Sequence, residues 1–229
     1  MNLDVLARYG PSLVHGLGTT LTLVAVSIAC GGLLAIPVAL ARLSENRVVG
    51  SLAFAYVYFF RGTPLLAQIF LVYYGMGEFR PTLQSLGLWS FFRDAVNCAA
   101  FTFTLNTAAY QAEIYRGAIR SVPRGQAEAA EALGLRRWTI FRYVIAPQAA
   151  IIALRPLGNE IILMIKGSAV ASIVTVLDLM GETRLAFSRS FDMTVYLYAA
   201  VLYLAVVEVL RRIWNMLEVR LTRHLALRA

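Results

Sequence analysis

The feature that most constrains the fold of this chain is a long stretch, between Arg8 and Arg42, that contains no Asp, Glu, Lys or Arg. An α-helix rises about 1.5 Å per residue, so about 20 apolar residues are enough to cross the hydrocarbon core of a bilayer. The stretch therefore predicts a membrane-spanning helix, which we place at Leu17 to Ala41 and expect to be kinked at Pro37.

Four more apolar stretches follow the first one. Of the 229 residues 59% are hydrophobic and 15% are charged, whereas about 25% of the residues of a soluble domain are charged. We place the further spans at Val48 to Gly77, Ala95 to Ala112, Gln148 to Ile165 and Met193 to Val209. The sequence thus predicts one all-α integral membrane domain of five transmembrane helices, covering residues 1–229 with a core at about 16–213.

Two details of these spans stand out. The second apolar stretch is interrupted at Arg61-Gly62-Thr63-Pro64, where Gly and Pro disfavour a continuous helix. After the fourth span, residues 167–177 are apolar but shorter than a span, and they either continue it or re-enter the membrane.

The basic residues indicate how the spans are oriented. Twenty of the 21 basic residues are arginine and they cluster between the apolar stretches, so a membrane explains the net charge of +8 better than nucleic acid does. One side of the predicted membrane carries Arg42, Arg47, Arg116, Arg120, Arg124, Arg136, Arg137, Arg142, Arg211, Arg212, Arg220, Arg223 and Arg228. The other side carries only Arg8, Arg80, Arg93, Arg184 and Arg189. The positive-inside rule therefore places the N-terminus outside and the C-terminus in the cytoplasm.

The sequence contains no motif by which this chain itself would bind a nucleotide or a metal or catalyse a reaction. A nucleotide-binding Walker A loop needs Gly-Lys-Ser/Thr, and the sole lysine, Lys166, follows Ile165. His15 and His224 lie at opposite ends of the chain, and Cys30 and Cys98 have no metal-ligand spacing and are expected to be buried small residues. We predict no catalytic residue, no metal site and no cofactor bound by this chain.

One polar, arginine-rich stretch, Ser121 to Pro147, is of a kind suited to contact another protein. Gln126 to Leu133 consists of strong helix formers, and Gly134 is placed to end that helix in a left-handed conformation. Small side chains at Ala129, Ala130 and Ala132 would let a partner approach closely, with Glu128 and Glu131 solvated or paired to it. Arg137 to Ala146 is typical of a helix at a membrane surface, and Pro147 closes it. The alternative interpretation is a solvated charged loop.

This stretch resembles the EAA motif of ABC importer permeases. Glu128-Ala129-Ala130, three residues, Gly134, nine residues and Val144-Ile145-Ala146-Pro147 follow the pattern, with Val144 for Ile and Ala146 for Leu. Further blocks resemble the polar amino-acid branch, and in particular the M-type permeases of histidine/lysine-arginine-ornithine and octopine/nopaline uptake systems. These blocks are Arg61 to Leu65, Phe103 to Tyr110, Glu113 to Pro123 and Asn159 to Met164.

The resemblance implies the permease fold of a type I importer in a bacterial inner membrane. Such a permease works with a second permease subunit, here favoured to be a different chain, with a dimer of ATPase subunits that binds ATP and Mg, and with a periplasmic substrate-binding protein. It implies that Glu128, Ala129, Ala130, Gly134 and Pro147 belong to a cytoplasmic coupling helix and its junction. The implied substrates are polar, in particular basic, amino acids or opines. Alternatives are a glutamine or glutamate importer, or a membrane scaffold that transports nothing.

The candidate substrate pathway rests on an ionisable residue deep in the fourth span. Glu160 lies about 18 Å along that helix, where a charge is costly unless it is paired or hydrated. A free carboxylate there would suit the ammonium or guanidinium of a cationic amino acid; an ion pair with Arg61 or with the second permease is the alternative. Asn159 joins it as a candidate. Arg61 and Thr63, at the helix break, either meet the substrate carboxylate or hold the second span against the fourth.

Two further expectations concern side chains outside this pathway. Glu113 is expected to pair with Arg116 or Arg120 near the cytoplasmic end of the third span. Aromatic residues expected in the membrane interface are Tyr73, Tyr74, Trp138 and Trp214.

Overall fold

The computed structural model describes residues 3–223, and this range contains helices and no strand. His224 and Arg228, which entered the sequence arguments on metal binding and on charge, lie outside the described residues. The α-helices are α1 (Leu3–Leu43), α2 (Arg47–Gly62), α3 (Leu65–Glu78), α4 (Arg80–Ser85), α5 (Trp89–Phe92), α6 (Ala95–Ser121), α7 (Arg124–Ala132), α8 (Arg137–Ile140), α9 (Ala146–Gly167), α10 (Leu179–Ser190) and α11 (Thr194–Thr222). A π-helical turn, Phe141–Ile145, joins α8 to α9, and a 3₁₀ helix, Ser168–Val174, follows α9.

Three helical segments are long and apolar enough to cross a membrane, at Asp4–Leu43, Arg137–Val174 and Thr194–Thr222. Helices α2 and α3 are long and apolar enough to span a membrane only when taken together, and the chain bends by 104° between them. The interruption predicted at Arg61 to Pro64 is therefore confirmed. By length and composition the described chain supports three spans, or four with the bent pair counted as one.

The predicted third span lies in α6, which is long enough to cross a bilayer but too polar to be recognised by composition. Its buried side chains include Thr102, Asn106, Thr107 and Gln111. Helix α6 packs against α1, α2, α3 and α9 and so lies at the centre of the bundle. Its side chains face protein instead of lipid, and polar residues are stable there because they can hydrogen-bond to neighbouring helices.

Helix α1 packs closely along α6 because glycines face it. A Cβ atom on Gly31 would lie 2.4 Å from Thr107 Cγ2, and one on Gly32 would lie 2.9 Å from Gln111 Oε1. Helix α1 also continues without interruption through Pro37 to Leu43, so Pro37 does not end it. The glycines bring the backbone of α1 within reach of the polar side chains of α6.

Residues 168–174 continue the helix of the predicted fourth span, which was one of the two alternatives for residues 167–177. The chain continues from α9 as the 3₁₀ helix to Val174, and Thr175 then turns it with a left-handed φ of 66°. The polar stretch that follows contains α10, which Asp178 caps by accepting a hydrogen bond from the Gly181 amide at 2.8 Å. Helix α10 packs against α1, where Asp178 is fully buried.

Three residues of α9 contact α11, namely Leu154, Arg155 and Gly158. The Trp214 indole N–H donates to the Leu154 carbonyl at 2.8 Å, and the indole ring covers Gly158 so closely that a Cβ there would lie 2.4 Å from it. Arg155 and Glu218 form an ion pair at 2.7 Å. Trp214 therefore packs, half-buried, between the two helices, and its place in an interfacial belt stays a prediction.

Other expectations about single residues had mixed outcomes. Cys98 is buried as predicted, but Cys30 is exposed on α1, and both thiols are free. Tyr74 and Trp138 are exposed, at 60% and 69%. Tyr73 instead packs, partly buried, against the core cluster that contains Ile69 and Phe103.

Candidate functional site

Glu160 opens onto a cavity of about 250 Å³ between α6, α9 and the start of α3. Only 6% of the residue is exposed. Polar groups from the broken span and from α6 share the cavity with apolar side chains. The lining consists of Thr63, Leu65, Asn106, Tyr110, Glu160, Leu163, Met164 and Gly167.

A chain of hydrogen bonds holds the Glu160 carboxylate from the side of α6. The Thr107 hydroxyl donates to Glu160 Oε1 at 2.9 Å and accepts from Gln111 Nε2 at 3.2 Å. Gln111 Nε2 also donates to the Ile28 carbonyl of α1 at 3.1 Å, and the Tyr115 hydroxyl donates to Gln111 Oε1 at 3.3 Å. The carboxylate is thus fixed in place by neutral groups.

Within residues 3–223, Glu160 forms no ion pair. Its predicted alternative partner, Arg61, is exposed, and its guanidinium lies over the Tyr110 ring at 5.1 Å from the centroid. Tyr110 lines the Glu160 cavity, and Arg61 lines two neighbouring cavities of about 440 and 270 Å³ that both reach Glu113. A direct ion pair between Glu160 and Arg61 was therefore a wrong expectation, although the charge of Arg61 acts on Glu160 from an adjoining cavity.

The helix break beside the cavity is stabilised by a second polar network. Gln68 Nε2 donates to the Thr63 hydroxyl at 2.8 Å and to the Phe60 carbonyl at 2.9 Å, and Thr63 Oγ1 donates to the Phe59 carbonyl at 2.8 Å. Asn106 Nδ2 joins this network through Gln68 Oε1 at 2.9 Å. The Thr63 hydroxyl, a predicted pathway group, is thus already used as donor and acceptor, and it holds the break in position.

Asn159 is the pathway candidate that the structure does not bring to this site. It is exposed, and it is absent from the lining of the cavities described above. Neighbouring residues of a helix point about 100° apart, and Asn159 faces away from the cavity that Glu160 lines.

Glu113 lies toward the cytoplasmic end of α6 and pairs with two arginines. Arg116 binds it from the next turn, as predicted, and Arg42 at the end of α1 donates to it at 3.1 Å. Arg120 is exposed and forms no ion pair among the described residues, so that alternative was wrong. The Arg42 pairing joins α1 to α6.

Helix α7 is the short helix predicted within the polar stretch, and it ends as predicted. Gly134 has a left-handed φ of 74°, its amide donates to the Glu131 carbonyl at 2.9 Å, and the Leu135 amide donates to the Ala130 carbonyl at 3.2 Å. These two bonds form a Schellman motif, which satisfies carbonyls at the helix end. Pro147 does not close the segment Arg137 to Ala146, which was the prediction: it is the second residue of α9, and the helical chain continues through it from the π-helical turn.

The surface of α7 differs in one respect from the expected one. Ala129, Ala132 and Glu128 are exposed, whereas Ala130 is buried against the chain itself and is not available to a partner. Leu133, which the sequence reasoning did not single out, is 81% exposed at the end of the helix. Leu133 therefore belongs to the exposed surface of α7, together with Glu128, Ala129 and Ala132.

Sequence reasoning also missed the amide and hydroxyl side chains that position Glu160 and the helix break beside it. Gln68, Asn106, Thr107 and Gln111 are all buried. The signal was present, because side-chain amides in apolar spans are costly and need partners.

Comparisons with known proteins agree on the class of the chain. Residues 28–223 match the family model described as "Binding-protein-dependent transport system inner membrane component". The chain is 42% identical over 229 residues to the nopaline transport system permease protein NocM of Agrobacterium fabrum, covering 100% of this chain and 95% of the relative. It is 38% identical over 232 residues to the histidine/lysine/arginine/ornithine transport system permease protein HisM of Salmonella typhimurium, covering 98% of this chain and 99% of HisM.

Solved structures show the same fold. A chain from the crystal structure of an amino acid ABC transporter with histidines superimposes with a TM-score of 0.85 at 31% identity, covering 96% of this chain and 99% of that one. An inward-facing MetNI methionine ABC transporter chain gives a TM-score of 0.76 at 21% identity, covering 92% and 96%, which shows the fold alone. The chain belongs to the family of binding-protein-dependent transport system inner membrane components, the permease subunits of ABC importers, in which ATP hydrolysis lies in a separate subunit.

Proposed function

We propose that this permease imports cationic amino acids, such as histidine, arginine, lysine and ornithine, or opines built from them. The observation that carries the proposal is the buried Glu160 carboxylate, which lines a partly polar cavity and forms no direct ion pair among residues 3–223, although Arg61 lies near enough for its charge to act on it. A buried carboxylate that does not contact a cation is costly, so an arriving ammonium or guanidinium group that pairs with it directly gains stabilisation. The names of the similar proteins support a basic amino acid or an opine as the substrate.

The path to and from Glu160 follows from the neighbouring cavities. Arg61 is the exposed cation at the helix break, and with Tyr110 it lies between the Glu160 cavity and the cavities near Glu113. We assign Arg61 to the α-carboxylate of the substrate, and Thr63 with Asn106 to holding the break at which Arg61 sits. A substrate with both charges would then meet groups of both signs.

The proposed topology has five spans, with the N-terminus outside and the C-terminus in the cytoplasm of a bacterial inner-membrane protein, and one transmembrane domain over residues 1–229. The spans are α1, the bent pair α2–α3, α6, the segment from α8 to the 3₁₀ helix, and α11. The excess of arginine on one side supports this orientation. Helix α7 then lies on the side where ATP is available.

We assign α7 as the coupling helix. Its exposed Glu128, Ala129 and Leu133 would enter a groove of an ATPase dimer that binds ATP and Mg, while Gly134 and Pro147 fix its angle to α9. The remaining partners are a second permease chain, favoured to be a different protein, and a periplasmic binding protein that delivers the substrate. Closure of the ATPase dimer would move α7 as a rigid body and switch the permease pair.

The test of substrate class is Glu160→Gln, which keeps the shape and removes the charge. In proteoliposomes that contain the transporter and its binding protein, we expect uptake of arginine to fall at least about tenfold, equivalent to about 1.4 kcal/mol. Uptake of glutamine, if any is detected, should fall less. The control Glu45→Gln removes an exposed carboxylate in the loop before α2 and should leave uptake unchanged.

Equal loss for both substrates would contradict a charge-reading role for Glu160. Substantial uptake of glutamine or glutamate by the unaltered transporter, with none of arginine, would favour the alternative substrates.

A further inference from the structure

A groove of about 510 Å³ lies between α1, α6, the α8 and π-helical segment, and α9, on a face of α6 and α9 different from the one that lines the Glu160 cavity. Its walls carry almost no polar atoms. Large side chains such as Leu40, Ile119, Trp138 and Phe141 surround a row of alanines on α9 that includes Ala150. We call this the aromatic groove.

The chemistry of the aromatic groove fits a hydrocarbon chain. The hydroxyl of Tyr115, one of its few polar groups, is already used in donating to Gln111. A polar solute would therefore lose its hydration without finding partners. Trp138 and Phe141 stack with ring centroids 5.8 Å apart, and Trp138 is 69% exposed, so the groove opens at the protein surface beside a flat aromatic wall.

Two exposed arginines are next in sequence to the aromatic residues that line the groove, Arg137 beside Trp138 and Arg142 beside Phe141. Neither forms an ion pair with any residue between Leu3 and Arg223, and the Arg142 guanidinium lies over the Tyr143 ring at 5.6 Å from its centroid. Guanidinium groups without a carboxylate partner beside an apolar groove match a phosphate attached to an acyl chain.

We propose that the aromatic groove is a binding site for one anionic phospholipid of the cytoplasmic leaflet. An acyl chain fills the groove, and Arg137 and Arg142 bind the phosphate. The leaflet follows from the orientation proposed above, whereas binding itself does not depend on it. Since α8 and the π-helical turn connect α7 to α9, the bound lipid stabilises the link between the coupling surface and the helix of Glu160.

The experiment uses Trp138 as a reporter within the groove. The full chain in detergent micelles is titrated with phosphatidylglycerol or phosphatidylcholine whose acyl chains are brominated, since bromine quenches tryptophan on contact. The Trp138 signal is the difference between the protein and its Trp138→Phe variant. We expect half-maximal quenching at about fivefold less phosphatidylglycerol than phosphatidylcholine, and Arg137→Gln with Arg142→Gln should abolish this preference.

A second pair of variants tests the groove instead of the charges. Ala150→Phe fills the groove from its exposed wall and should reduce quenching of Trp138 by both lipids. Ala200→Phe places the same ring on an exposed alanine of α11, outside the groove, and should leave quenching unchanged.

Three results would overturn the proposal. Equal quenching by the two lipids would show contact without recognition of the anionic headgroup. Quenching that survives Ala150→Phe would place the lipid elsewhere. Protection of Trp138 from both lipids in the assembled transporter would show that another protein chain covers the groove.

Discussion

Thr107 shows how a single hydroxyl can determine the position of a charge. Its hydroxyl donates to Glu160 and accepts from Gln111, and Gln111 donates to the Ile28 carbonyl, so α6 is connected to α9 and α1 through two adjoining side chains. All three groups are buried, and a buried polar group that loses its partner costs about 1–3 kcal/mol.

The corresponding prediction is that Thr107→Val destabilises the chain by about 1–3 kcal/mol and raises the KM for a cationic substrate, because Glu160 loses its positioning donor. Thermal unfolding in detergent and uptake kinetics measure the two effects. Thr102→Val is the matched control, since Thr102 is equally buried on α6 but donates only to the Cys98 carbonyl of its own helix. Equal effects of the two substitutions would argue against a special role for Thr107.

Side-chain partners of this kind were only partly predictable. The depth of Glu160 in an apolar span and the i,i+3 spacing of Glu113 and Arg116 are visible in the sequence. The partners Thr107 and Arg42 are not, because they come from helices 53 and 71 residues away. Helical periodicity orders residues around one helix and carries no information on the rotation of its neighbours.

At the scale of elements, the closeness of α1 and α6 depends on glycine. We predict that Gly31→Ala lowers the unfolding temperature by several degrees, because its Cβ would clash with the Thr107 methyl group and with backbone atoms of α6. Gly18→Ala is the control, since a Cβ at Gly18 on the same helix meets nothing within 4 Å. That substitution should be neutral or slightly stabilising, because alanine favours helix by about 0.5–1 kcal/mol over glycine.

The end of α7 gives a second prediction at this scale. Gly134→Asp places a side chain on a left-handed residue at the coupling surface, and we expect the transporter to assemble but to lose binding-protein-stimulated ATP hydrolysis. Gly87→Asp carries a similar backbone strain at φ 70° but lies between α4 and α5, far in sequence from α7, and should retain the stimulation. Normal transport by Gly134→Asp would remove the coupling assignment from α7.

The ends and breaks of helices were predicted correctly where a residue constrains its own backbone. The break at Arg61 to Pro64 and the end of α7 at Gly134 follow from residues that constrain their own backbone. The third span was predicted from its lack of charge, and composition alone does not identify α6 as a span, because α6 carries amides and hydroxyls that tertiary contacts stabilise. The π-helical turn and the 3₁₀ helix have no comparable sequence signal.

At the scale of the whole molecule, the orientation can be tested by labelling. In a Cys30→Ala background, which removes the exposed thiol, Ala129→Cys should react with a membrane-impermeant maleimide only after the cells are opened. Leu86→Cys, between α4 and α5, should react in intact cells. The reverse pattern would place α7 outside the cell and contradict both the topology and its role.

The three contacts between α9 and α11 also bear on how the molecule moves. Because Trp214 lies on Gly158 and Arg155 binds Glu218, the helix that carries Glu160 cannot tilt without taking the C-terminal helix with it. If α9 tilts during transport, the pair of helices has to displace more lipid than one helix would, so we expect thicker or stiffer membranes to slow turnover even when ATP and substrate are saturating.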